Sequence, residues 1–204
     1  MPRGTFLVLE GPDGCGTTFH SAALATRLRE DGYEVLLTAE PTNGPIGREI
    51  RRYISGHVPI PPTSLQLLFS ADRSLHCTEV LEPALREGKV VICDRYIPST
   101  LAYGEAAGVD PLWLQELNKN FIQPDCTLYL LPPLSLCLQR LSERSTRDAL
   151  ESASFQGRVY AAYEKLCTRD PKGCVLDTSG SKEDVMPQVL AAVRQSLQHQ
   201  TVLA

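Results

Sequence analysis

Apolar positions cluster in five short runs, at 5–10, 34–39, 89–94, 126–131 and 173–177. The runs lean toward β-branched residues and are mostly continuous rather than alternating. Runs of that kind predict strands covered on both faces, as in a parallel sheet. Elsewhere apolar residues recur at helical spacing. They predict helices over 17–30, 46–54, 64–86, 99–107, 112–120, 133–144, 150–169 and 181–198. Ser181 and Asp184 have the spacing of a capping arrangement ahead of the last helix. Three prolines within 57–63 predict a loop, and Asp170-Pro-Lys-Gly173 predicts a turn. Strand-helix alternation along the whole chain predicts an open, doubly wound α/β sheet. Such sheets bind ligands beyond the carboxyl ends of their strands. The stretches to examine are therefore 10–18, 40–42 and 94–95.

Composition narrows the functional classes. With 204 residues and no linker or low-complexity tract, a single domain over 1–204 is expected. A net charge of −4 gives no general attraction for a nucleic-acid polymer or an anionic membrane. An anionic ligand must be held by local charge. The seven cysteines, at 15, 77, 93, 126, 137, 167 and 174, form no C-x-x-C pair. They read as reduced, largely buried thiols of a cytoplasmic protein. The four histidines show no zinc spacing. The first residues lack the apolar length of a signal peptide, and no run reaches the roughly 18 apolar residues of a membrane helix.

The first predicted strand leads into Gly11-Pro-Asp-Gly-Cys-Gly-Thr-Thr18. A phosphate-binding loop reads G-x-x-x-x-G-K-[ST]. Gly11, Gly16 and Thr18 fit, and Thr17 stands where the lysine belongs. Glycines let backbone amides turn toward a polyphosphate, and the helix N-terminus adds partial positive charge. The Thr18 hydroxyl is a candidate Mg²⁺ ligand. The missing ammonium removes an interaction worth about 4 kcal/mol at 4 Å and an effective dielectric near 20, before desolvation. Cys15 lies among these amides, which would lower its pKa if its sulfur faced them; plain tolerance of a small side chain is the alternative.

Beyond the loop the chain resembles the thymidylate kinase family over nearly its whole length. The resemblance rests on Glu10-Gly-Pro-Asp-Gly-Cys-Gly-Thr-Thr18, Glu40-Pro41-Thr42 and Ile46-Gly47-Arg48 with Ile50-Arg51. It continues through Leu67-Leu-Phe-Ser-Ala-Asp-Arg73, Asp94-Arg95-Tyr96 with Ser99-Thr100 and Ala102-Tyr103, and Pro124-Asp125. It implies a three-layer α/β/α P-loop kinase fold with a five-stranded parallel sheet and a lid at about 140–158. The implied reaction moves the γ-phosphoryl group of ATP to dTMP, giving dTDP, with Mg²⁺ and commonly in a homodimer.

The same resemblance implies roles. Gly11, Asp13, Gly14, Cys15, Gly16, Thr17 and Thr18 would hold ATP. Thr18 and Asp94 would serve the metal, and Asp13 the sugar hydroxyl or the metal shell. Arg95 would grip the acceptor phosphate through its planar fork. Phe69 and Arg73, four apart on one helix face, would take the pyrimidine ring and its polar edge. Glu40 would be a second carboxylate of the acceptor or metal site, and Ser99 and Tyr103 would complete the acceptor site, Tyr103 as a wall beside the sugar. Arg48 and Arg51 either face the acceptor phosphate or are solvated helix arginines.

Two departures stand out. Lysine is replaced by Thr17, and the usual lid arginine aligns with Ala149. Arg140, Arg144 and Arg147 remain in the lid, and Arg144 and Arg147 are candidates to supply the missing charge. Two other functions stay open at this point: a non-catalytic nucleotide-binding protein, and a kinase for another pyrimidine monophosphate.

Overall fold

The structure is a computed structural model that describes residues 3–56, 58–143, 150 and 152–197. Five strands form a single parallel sheet. They are β1 (Phe6–Glu10), β2 (Val35–Ala39), β3 (Val90–Asp94), β4 (Cys126–Leu130) and β5 (Gly173–Leu176), in the order β2-β3-β1-β4-β5. The helices are α1 (Thr17–Glu30), α2 (Pro45–Ile54), α3 (Pro62–His76), α4 (Glu82–Arg86), α5 (Ile97–Ala106), α6 (Pro111–Asn118), α7 (Leu134–Ser142), α8 (Ala153–Cys167) and α9 (Lys182–Leu197).

The continuous apolar runs are explained by double-sided burial. Leu7 and Leu9 of β1 pack into a core with Leu24 and Leu28 of α1 and Val185, Val189 and Val193 of α9. Phe6 and Val8 point the other way, toward Leu81, Ala84 and Leu85 near α4. Helices therefore cover both faces, giving three layers. The outer strands are less covered: Leu37 of β2 is 36% exposed and Val175 of β5 is 52% exposed.

The helix expected over 64–86 is one run interrupted by a π-helical turn, Cys77–Leu81. The run also starts earlier, at Pro62. Proline is accepted there because the first helical amide has no intrahelical acceptor to lose. The predicted capping arrangement is present: the Asp184 amide donates to Ser181 Oγ at 3.2 Å, and that hydroxyl donates to Asp184 Oδ2 at 2.6 Å.

Strand register positions the site. Leu9 of β1 and Ala39 of β2 both lie level with Asp94 of β3. The three strands thus end on one line. The loop after β1 feeds α1 on one face, and the loop after β3 feeds α5 on the other. A crevice opens where the two connections part, beyond Glu10 and Asp94.

Pro187 lies inside α9 and is exposed. A proline in a helix interior costs about 3 kcal/mol relative to alanine, partly offset by the entropy it removes from the unfolded chain. Pro187→Ala is expected to raise the unfolding midpoint by several degrees in calorimetry; a lowered midpoint would contradict the helical environment described.

Candidate active site

Residues 11–16 carry the chain from β1 into α1. Gly14 and Gly16 take φ values of 85° and 97°, a region that L side chains rarely enter. A Cβ on Gly14 would lie 2.5 Å from the Cys137 carbonyl oxygen. Only glycine lets the loop pass so close to α7. Gly16 is the residue before the first turn of α1, and no acidic side chain occupies that turn. The turn thus carries no side-chain charge that would repel an anion. The loop is also braced from α7: Arg140 donates to the carbonyl oxygens of Gly14 and Thr178, each at 3.1 Å. Thr178 in turn donates to the Cys15 carbonyl at 2.8 Å.

The Cys15 side chain is packed in the core cluster, with the Thr17 amide as a backbone neighbour. It is fully buried, and burial pushes its thiol up to about 12. Thr17 is also buried. His20, beneath the loop, is buried edge-on to Phe19 at a ring distance of 5.1 Å.

Thr18 Oγ1 donates to Asp94 Oδ2 at 2.6 Å, joining α1 to the end of β3. The second oxygen, Oδ1, is buried and accepts nothing from the described residues. A hydroxyl oxygen beside a half-used carboxylate fits a hard cation with oxygen ligands. No group of three or more His, Cys, Asp or Glu side chains converges on one point among the described residues. A cation at Thr18 and Asp94 would therefore draw its remaining oxygens from phosphates and water. Mg²⁺ accepts such a shell readily.

Arg95 follows Asp94 in the left-handed region, with φ 69°, an unusual conformation outside glycine. The turn throws its guanidinium across to β1. There it donates to the Gly11 carbonyl at 2.6 Å and to Asp13 Oδ1 at 2.7 Å. Gln156 of α8 closes the same cluster: its Nε2 donates to Asp13 Oδ2 at 2.8 Å, and its Oε1 accepts from the Asp13 amide at 3.2 Å. Glu10 anchors the cluster from below. It is fully buried and accepts from the Tyr96 amide at 2.6 Å, the Ser99 hydroxyl at 2.7 Å and the Tyr163 hydroxyl at 2.9 Å. Burial raises its pKa, opposed by the nearby Arg95 charge and these donors.

Beyond this cluster lies a cavity of about 610 Å³. Asp13, Thr18, Asp94, Arg95 and Ser99 line the end nearest the glycine-rich loop. Glu40, Phe69, Arg73 and Tyr103 line the rest, together with an apolar stretch from Tyr53 to Leu65. Arg73 is only 1% exposed. It pairs with Glu40 at 2.8 Å, donates to Thr100 Oγ1 at 2.9 Å and bonds Asn118 Oδ1. His76 holds the other Glu40 oxygen at 2.9 Å. Arg95 lies over the Tyr103 ring, 5.5 Å from its centroid.

Nine predicted site residues thus share one cavity, with the glycine-rich loop at its edge. Arg48 is exposed and donates to the Asn43 carbonyl at 2.8 Å, outside the cavity lining. Its neighbour Arg51 lines the cavity and donates to the carbonyls of Pro41 and Thr42. Arg144, Arg147 and Ala149 lie outside the described residues. Sequence reasoning assigned no role to Gln156, Tyr163, His76 or Asn118. Gln156 is 143 positions from Asp13, so no local spacing could reveal their contact.

The sheet, the loop at its switch point and the Thr18–Asp94 pair define the three-layer α/β/α P-loop kinase fold. A family model described as thymidylate kinase matches residues 9–189. A probable thymidylate kinase of Pyrococcus horikoshii is 39% identical over 201 residues, covering 96% of this chain and 98% of that protein. A thymidylate kinase of Thermomicrobium roseum is 39% identical, covering 92% and 93%. One from a Synechococcus species is 36% identical, covering 94% and 96%. The chain belongs to the thymidylate kinase family. None of its described helices is long and apolar enough to cross a membrane.

The placement of Cys15 has a direct test. Iodoacetamide on the folded protein is expected to label the partly exposed Cys167 and Cys174 while sparing Cys15. Peptide mapping that found Cys15 labelled first would contradict its burial.

Proposed function

We propose that this protein is a dTMP kinase that moves the γ-phosphoryl group of ATP to dTMP, with Mg²⁺. The observation that carries this reading is the half-used Asp94 carboxylate. It stands beside Thr18 at one end of a cavity whose other end presents Phe69 and Arg73. A protein that only bound nucleotide would need neither a metal carboxylate nor an acceptor pocket facing it. The relatives' names favour the same reaction, and nothing in the geometry favours the non-catalytic reading.

The residues divide the work by position. The loop amides and the start of α1 hold the ATP phosphates. Thr18 and Asp94 would hold Mg²⁺, which when bound would supply charge neutralisation for phosphoryl transfer. Arg95 reaches the acceptor phosphate while anchored to Gly11 and Asp13; its described bonds use the two terminal nitrogens and leave the Nε edge to the ligand. Asp13, fixed by Arg95 and Gln156, meets the acceptor sugar. The pyrimidine lies along Phe69, and Tyr103 bounds the sugar. Glu40 acts through Arg73, which it fixes, rather than as a metal ligand. Phosphoryl transfer depends mostly on such positioning and on charge neutralisation.

ADP formation with purified protein, ATP, Mg²⁺ and a panel of nucleoside monophosphates tests the reading. Turnover with dTMP is expected, and Asp94→Asn is expected to lower it roughly 100-fold or more. Nucleotide binding without turnover on any acceptor would defeat it.

The charge missing at Thr17 must come from elsewhere. Arg140 is engaged with two backbone carbonyls. Arg144 and Arg147 remain the candidates. A cation delivered to the developing phosphoryl charge is worth roughly 10³–10⁵ in rate. The double variant Arg144→Ala, Arg147→Ala is expected to lower kcat at least 10-fold while ATP affinity changes little. An unchanged kcat would show that neither supplies the charge.

A further inference from the structure

A buried polar side chain in the cavity has been given no role above. Gln66 of α3 lines the cavity and is 2% exposed. Its amide oxygen is buried and accepts no hydrogen bond from the described residues. Such an oxygen is costly to leave without a donor. Gln66 precedes Phe69 by three positions and Arg73 by seven, so all three lie along one face of the helix.

We infer that Gln66 is a specificity-determining residue: its amide oxygen accepts the N3–H of a 2,4-dioxopyrimidine lying along Phe69, while Arg73 donates to an adjoining ring carbonyl. The inference rests on the dTMP kinase reading. The chemistry follows from what the pocket can still offer. Arg73 has donors only. The Glu40 carboxylate is taken by Arg73 and His76, and Thr100 and Asn118 also accept from Arg73. The Gln66 oxygen is an acceptor the pocket has not used. A dioxopyrimidine presents an N–H donor flanked by carbonyl acceptors, which complements this pair. Cytosine presents a lone pair at N3 and an amino donor beside it, so acceptor would meet acceptor and donor would meet donor.

The neighbouring backbone makes room for this arrangement. At Gly104 of α5, a Cβ would lie 2.7 Å from Leu114 Cδ1 and 3.4 Å from Gln66 Cδ. The bare glycine lets α5 pack directly against the Gln66 carboxamide. A side chain there would press on both neighbours.

Equilibrium titration of dTMP and dCMP, without ATP, tests the assignment. Wild type is expected to prefer dTMP. Gln66→Met keeps the volume and removes the acceptor. It is expected to weaken dTMP roughly 10- to 100-fold, leave dCMP within about threefold, and not lower the melting temperature. Gln66→Glu restores an acceptor and should keep the preference for dTMP. A purely structural Gln66 would weaken both monophosphates by the same factor, and that result overturns the assignment, as does an unchanged dTMP affinity. Preferential dTMP binding that depends on Gln66, without dTDP formation, would defeat the kinase reading alone. Turnover of dTMP with unaltered discrimination in Gln66→Met would defeat the Gln66 assignment alone. Failure of wild type to bind either monophosphate would defeat both.

Discussion

The active-site geometry depends on the clamp between Arg95 and the start of the glycine-rich loop. One guanidinium, launched from a left-handed residue at the end of β3, holds the Gly11 carbonyl and the Asp13 carboxylate of the neighbouring strand's loop. A non-glycine residue in that backbone region is disfavoured by about 1–3 kcal/mol, so the surroundings must enforce it. They do so through two bonds, from the Arg95 N–H to the Leu9 carbonyl at 3.0 Å and from the Tyr96 amide to the Glu10 carboxylate at 2.6 Å. The ends of β1 and β3 thereby behave as one rigid edge.

From that edge the remaining parts take their places. Asp94, one residue earlier, is aimed at Thr18 on α1. Ser99, four residues later, meets Glu10 and Tyr163. Gln156 ties α8, and with it the Leu150 carbonyl at 2.9 Å, to Asp13. The charges are arranged with little excess. Arg95 faces Asp13, Arg73 faces Glu40, and Arg140 faces backbone carbonyls. In a chain of net charge −4, an anionic substrate is held by placed donors rather than by a general field. Loss of the loop lysine fits this pattern, because backbone amides and the Thr18–Asp94 pair are unaffected by it.

The end of the cavity around Arg73 and Glu40 obeys a different rule. Its charges are buried, and each is held by several partners. Arg73 has hydrogen-bonding partners on α5, on α6 and just past the end of β2. A guanidinium so fixed has little freedom to shift toward a ligand that does not match its position.

Most of the architecture was legible from the chain alone. Continuous apolar runs specified buried parallel strands, because only double-sided cover explains them. The glycine spacing and Thr18 singled out the loop between β1 and α1, and the ordered motifs singled out residues that line the cavity. Boundaries near prolines were misplaced by a few residues, as at Pro62, because proline is compatible with a first helical turn. What the sequence could not decide was which distant groups meet. Gln156 reaches Asp13 across 143 positions, Cys15 is buried so that desolvation outweighs its amide neighbour, and Arg48 and Arg51 part toward solvent and cavity. Local spacing sets which residues share a helix face or a strand end. Only the packing of layers sets which of those faces enclose the same volume, and so which charge or hydrogen-bonding group each side chain finally meets.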